Sequence, residues 1–137
     1  MPECSSARQP LTNKEKRDLD IEISFLEGLT QRDPEYVEAL QLLGDSYTQR
    51  NRFRDGLAVD EHLAKLLPED SMVFYNLACS YSLTEQIDES ITALKKAIHL
   101  GYKDSQWMDK DPDLNNVRAD PRYKRIRHQL DIKLSSR

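Results

Sequence analysis

Apolar positions recur along this chain at spacings of three and four residues. Leu40, Leu43 and Tyr47 form one stripe, and Leu63, Leu66 and Leu67 a second. Phe74, Leu77, Ala78 and Tyr81 form a third, and Ile87, Ile91, Leu94 and Ile98 a fourth. Such spacing lines one face of an α-helix. No segment sustains the period-two alternation of a half-buried strand. The punctuation agrees with helices. Asp33-Pro34-Glu35, Asp111-Pro112-Asp113 and Asp120-Pro121 each set a capping carboxylate before a proline, and Asp70-Ser71 supplies another cap after Pro68. The pattern predicts an all-α protein of about six or seven helices joined by short turns.

Repetition is the second signal. Pro34 and Pro68 lie 34 residues apart, as do Leu40 and Phe74, Leu43 and Leu77, Gly44 and Ala78, and Tyr47 and Tyr81. Five pairs at one offset mark a stacked repeat, in which neighbours bury each other's apolar faces. Gly44 and Ala78 are small, so a second helix can approach the first. Tyr47 and Tyr81 are large and fill the gap between neighbouring pairs. The period and the order of residues resemble the tetratricopeptide repeat (TPR) family. Residues 37–70 read Leu40…Leu43-Gly44…Tyr47, followed by Gly56, Leu63 and Pro68. Residues 71–104 read Phe74…Leu77-Ala78…Tyr81, followed by Ser90, Leu94 and Ala97. Two positions depart: Asp60 replaces an aromatic residue, and Tyr102 stands where a proline is expected. Asp60 implies either a locally rotated helix or a carboxylate facing solvent at the edge.

The resemblance implies a short right-handed solenoid of helical hairpins, capped at both ends. Residues 12–34 are expected to hold a lone capping helix or half repeat, with Leu19, Ile23, Leu26 and Leu29 on one face. Residues 105–137 resemble a degenerate terminal segment of bacterial TPR proteins. That resemblance implies a short helix around 105–109, a helical turn at 112–117 and a last helix from 121 to about 134. Residues 1–11 read by composition as a disordered lead-in.

Charge sharpens this picture. The chain carries 20 Lys/Arg and 24 Asp/Glu, a net charge of −4, with 38% hydrophobic residues. Up to residue 117 it holds 13 basic and 22 acidic residues, and from Arg118 onward 7 and 2. A mean hydropathy of −0.75 and the lack of any apolar run near the ~20 residues of a membrane span exclude a spanning helix. The N-terminus has an acid where a secretory signal wants a base, and there are only two cysteines, so the expected compartment is the cytoplasm. Arg118, Arg122 and Arg125 share a helical face and make a basic tail patch. A pI of 5.4 argues against nucleic acid as its ligand, because the remaining surface repels phosphate. The patch reads as a solvated face, or as the counterpart of an acidic body in self-association.

Nothing in the sequence points to catalysis. His62, His99 and His128 lie at no metal-ligand spacing from one another or from Cys79. Asp109, Asp111 and Asp113 resemble the start of a calcium loop, but the loop's glycine and closing glutamate are missing. There is no nucleophile elbow and no glycine-rich phosphate loop. The expectation is no catalytic site, no metal and no cofactor.

The resemblance assigns the functional surface. In TPR proteins the first helices of successive repeats line a concave face that takes a peptide or a helix. By position this implies Glu38, Gln41, Asp45 and Thr48 in one repeat, and Met72, Tyr75, Asn76, Cys79 and Ser82 in the next. Asn76 falls where co-chaperone TPRs hold a terminal carboxylate. Gln41 and Asp45 replace the rest of that clamp, and Asp45 would repel such a ligand. Glu38 and Asp45 select a neutral or basic ligand, with Met72 and Tyr75 as its apolar anchor. The expected function is a non-enzymatic adaptor that binds a partner protein in this groove. The second reading is a self-associating structural module.

Overall fold

The structure is a computed structural model that describes residues 10–136. Among the described residues it is all-α, with eight α-helices, one 3-10 turn and no strand. They fall into two compact units that meet at Pro68 and Glu69 in the sequence.

The N-terminal unit holds α1 (Asn13–Arg32), α2 (Val37–Gln49) and α3 (Phe53–Leu66). Thr12 and Glu15 form a capping box that starts α1, each side chain meeting the other's backbone amide. The Asp33-Pro34-Glu35 signal does not start α2. The Asp33 amide still bonds Leu29 and closes α1, while its carboxylate takes the Glu35 amide and its carbonyl the Tyr36 amide. Asp33 is therefore spent on a turn, and α2 begins four residues later without a side-chain cap. Helices α2 and α3 approach through glycine. A Cβ on Gly44 would lie 3.3 Å from Asp60 Oδ1 and 3.5 Å from Val59 Cγ1, and one on Gly56 would lie 3.6 Å from the Gly44 carbonyl. This corrects the solvent-edge option for Asp60, which is 9% exposed: the missing side chain at Gly44 makes room for its carboxylate inside the hairpin.

The C-terminal unit holds α4 (Ser71–Leu83), α5 (Ile87–His99), α6 (Ser105–Lys110), a 3-10 turn (Pro112–Leu114), α7 (Asn115–Arg118) and α8 (Pro121–Ser135). Asp70, Asp104, Asp111 and Asp120 each cap the element that follows. Helices α2, α4 and α6 begin at Val37, Ser71 and Ser105; α3, α5 and α8 begin at Phe53, Ile87 and Pro121. Each series steps by 34 residues, so the terminal segment keeps the register of a third repeat. Its first helix is broken. Proline disfavours a helical conformation in the residue before it and lacks an amide of its own, so α6 stops at Asp111-Pro112. Tyr123, Ile126 and Leu130 bury one face of α8.

A candidate protein-interaction surface

Helix α2 turns two faces. Ala39, Leu40, Leu43, Gly44 and Tyr47 are buried. Glu38, Gln41 and Asp45 are exposed, as expected. Thr48 is half-buried: its hydroxyl donates to the Gly44 carbonyl and lies 3.2 Å from where a Gly56 Cβ would be. The bare Gly56 draws Thr48 into the hairpin. Leu42 was missed. It is 55% exposed, one turn from Glu38 and one turn from Asp45, and forms an apolar spot between two carboxylates. Its signal in the sequence is a leucine out of phase with the Leu40, Leu43, Tyr47 stripe. Partial burial pushes the Asp45 carboxyl above its ordinary pKa, although the residue still reaches solvent.

Helix α4 differs. Met72 (51% exposed) and Asn76 face outward, but Tyr75 (2%), Cys79 (7%) and Ser82 (0%) are buried. The chain's own broken helix covers them. The Tyr75 hydroxyl donates to the Asp111 carboxylate at 2.7 Å, and the Cys79 thiol points to the same oxygen at 3.7 Å. The Val117 amide donates to the Ser82 hydroxyl, and the Asn116 side-chain amide to the Ser82 carbonyl. Tyr75 also stacks on Tyr102, with ring centroids 4.2 Å apart. The reading of Tyr75, Cys79 and Ser82 as partner contacts is therefore corrected: they are internal packing. Burial, with Cys79 and Asp111 alongside, drives the Tyr75 hydroxyl far above its ordinary pKa and keeps it a donor.

No family model matches the chain. It is 30% identical over 108 residues to a chloroplastic protein of Arabidopsis thaliana, covering 77% of this chain and 31% of that protein. It is 29% identical over 102 residues to a peroxisomal targeting signal receptor of Komagataella phaffii, covering 73% of this chain and 18% of the receptor. The chain thus spans less than a third of either curated relative. Among solved structures, the MamA RS-1 ArsTM double mutant superposes with a TM-score of 0.63 at 17% identity, covering 88% of this chain and 70% of that one. The 34-residue register and these likenesses agree. The chain has the fold of a tetratricopeptide repeat protein.

The basic patch of this TPR fold is largely consumed within its C-terminal unit. Arg118 donates to the Met108 and Asp111 carbonyls and to Asn115, tying down the ends of the broken helix. Arg122 bridges Asp88 at 2.7 Å and Asp120 at 3.0 Å, and Arg127 bridges Asp109 at 2.7 Å and Asp131 at 2.9 Å. These pairs hold the Asp109 carboxyl below its usual range and Asp120 down to about 2. Arg125 remains exposed. Cys79, Asp111 and Asp113 place ligand-type atoms within 4.8 Å of one another. Both Asp111 oxygens are engaged, one by the Tyr75 hydroxyl and the other by the Asp113 amide, so the cluster serves the turn. Phe74, Leu77 and Tyr81 also line a groove of about 510 Å³ against α5, rimmed by Asp88, Glu89 and Lys96. No helix among the described residues is long and apolar enough to cross a membrane.

Proposed function

We propose that this chain is a non-enzymatic interaction module that binds a neutral or basic peptide or helix of a partner protein on the exposed face of α2. One observation carries the reading. Leu42, 55% exposed, is flanked on one face by Glu38 and Asp45. Leu42 supplies the anchor by losing its water when a ligand covers it, and the two carboxylates choose the sign of the ligand's charge. One relative is by name a receptor for a targeting signal, which supports peptide recognition as the type of function. Gln41 adds an amide that can pair with a ligand backbone.

The test is selection from a random peptide library, followed by fluorescence anisotropy on the selected sequences. Enrichment of peptides joining an apolar residue to Lys or Arg is expected. Binding should fall about tenfold or more in Leu42→Glu and in Asp45→Lys, and stay unchanged in Lys124→Glu on α8. Selection of acidic peptides, or binding indifferent to Leu42 and Asp45, would sink the proposal.

A further inference from the structure

Helix α1 exposes an aromatic side chain at a position its counterparts in the later repeats keep covered, and an isoleucine where theirs, Asp55 and Glu89, are exposed charges. Stepping by 34 residues, Phe25 of α1 corresponds to Val59 of α3 and Ala93 of α5. Val59 is 9% exposed and faces Gly44 of α2, and Ala93 is 4% exposed. Phe25 is 65% exposed and Ile21, one turn earlier, 69%. Helix α1 already uses its other side, where Ile23 and Leu26 are buried and Glu22 and Glu27 accept from Ser46 and Tyr47 of α2. An adjacent leucine-sized and phenylalanine-sized pair left in water marks an interaction site rather than a scattered surface residue.

The pattern along this face is self-complementary. Asp18, Ile21, Phe25, Gly28 and Arg32 follow one another at steps of three and four, so they share one side of the helix. An acid opens the row, an arginine ends it, and the apolar pair lies between. Turned end for end, the same row meets itself with opposite charges at both ends. We infer that α1 pairs antiparallel with α1 of a second copy of this chain, Phe25 meeting Phe25 at the two-fold axis. Ile21 then lies beside Gly28 of the second copy, where the bare backbone allows close approach, and Asp18 lies beside Arg32 of the second copy at each end. In the single chain the exposed Arg32 guanidinium lies over Gly28, bonded to its carbonyl at 3.3 Å, and Asp18 pairs with Lys14 at 2.9 Å; on pairing, Arg32 swings off Gly28 to Asp18 of the second copy and clears the bare backbone for Ile21. One helix pair is a small interface, so the dimer is of the weak, reversible class.

Sedimentation velocity over a range of concentrations tests the pairing on the full chain. The native protein is expected to shift from monomer to dimer as concentration rises. Phe25→Glu and Ile21→Arg should weaken self-association by about tenfold or more while leaving the circular-dichroism spectrum unchanged, because both side chains lie outside the fold. Asp18→Arg alone should dissociate the dimer, and Asp18→Arg with Arg32→Asp should restore it. In a Cys4→Ser background, Phe25→Cys should give a covalent dimer on mild oxidation. A monomer at every concentration, or a dimer indifferent to Phe25→Glu, overturns the proposal. A dimer lost in Phe25→Glu but not rescued by the charge swap overturns the antiparallel register. Peptide binding at Leu42 reads out separately, so neither result depends on the other.

Discussion

Removing one hydroxyl from the C-terminal unit should cost more than its size suggests. Asp111 is 4% exposed and receives the Tyr75 hydroxyl at 2.7 Å and the Asp113 amide at 3.0 Å. Tyr75→Phe keeps the ring and its stacking on Tyr102 but deprives a buried carboxylate of a donor. Hydrogen bonds to charged groups contribute about 1.5–3 kcal/mol, and that is the expected loss. Asp111→Leu puts a leucine in the register of Leu43 and Leu77 but strands the Tyr75 hydroxyl, at about 1–3 kcal/mol, and removes a cap, at about 0.5–2 kcal/mol. In the double variant no hydroxyl is stranded, so the two costs should fall short of additivity by about 1–3 kcal/mol. Urea unfolding followed by fluorescence of Trp107 on α6 reports this unit directly, because Trp107 is the only tryptophan. A Tyr75→Phe cost below about 0.5 kcal/mol, or additivity within that margin, would refute the coupling argument.

Three further outcomes follow from local geometry. Gly56→Val should destabilise the α2–α3 hairpin by about 1–3 kcal/mol in the same urea assay, since even its Cβ meets Thr48 at 3.2 Å. Asn51 and Glu85, 34 residues apart, hold φ of 65° and 63°, so Glu85→Asn should gain a few tenths to about 1 kcal/mol in thermal unfolding. Folding depresses the Asp109 and Asp120 carboxyls, so their stabilisation is present above the ordinary Asp value of about 3.9 and lost as pH falls below it, for Asp120 through about 2. Arg127→Gln should flatten the Asp109 part of that acid limb. At the other extreme, burial lifts Tyr102 up to about 12, so stability present below the unfolded tyrosine value near 10 is lost as pH rises toward 12. Spectroscopic titration of tyrosinate against melting temperature checks the alkaline limb.

What could be read in the sequence followed from periodicity. The 3.6-residue stripes and the 34-residue offset specify helices and hairpins, because burying those stripes requires them. Gly44 and Ala78 carried their packing meaning openly: Gly44 lies against Val59, and the Ala78 carbonyl receives the Ser90 hydroxyl at 2.8 Å. Other features depended on partners far along the chain. Asp33-Pro34 has the composition of a cap, yet its carboxylate was claimed by a turn. Asp60 looked misplaced until the space left by Gly44 was known. The basic tail looked like a free patch because the carboxylates that meet it, Asp88 and Asp109, lie 34 and 18 residues from Arg122 and Arg127.

The largest misreading, the exposure of Tyr75, has a cause that bears on function. At equal register α2 reads Glu38, Gln41, Leu42 and Asp45, whereas α4 reads Met72, Tyr75, Asn76 and Cys79. The face that stays open is acidic around one leucine; the face that is closed carries an aromatic ring and a thiol, which gain by burial. What closes it is Asp111, in the register of Leu43 and Leu77. The first helix of the third repeat reaches that position and goes no further. Asp-Pro stops it, Arg118 secures the freed carbonyls, and the chain crosses α4 as a turn whose carboxylate Tyr75 requires. The Asp111-Pro112 break in the repeat pattern therefore closes α4's central positions to solvent. In the proposed function, recognition then rests on α2, where the same pattern leaves Leu42 and its two carboxylates in solvent.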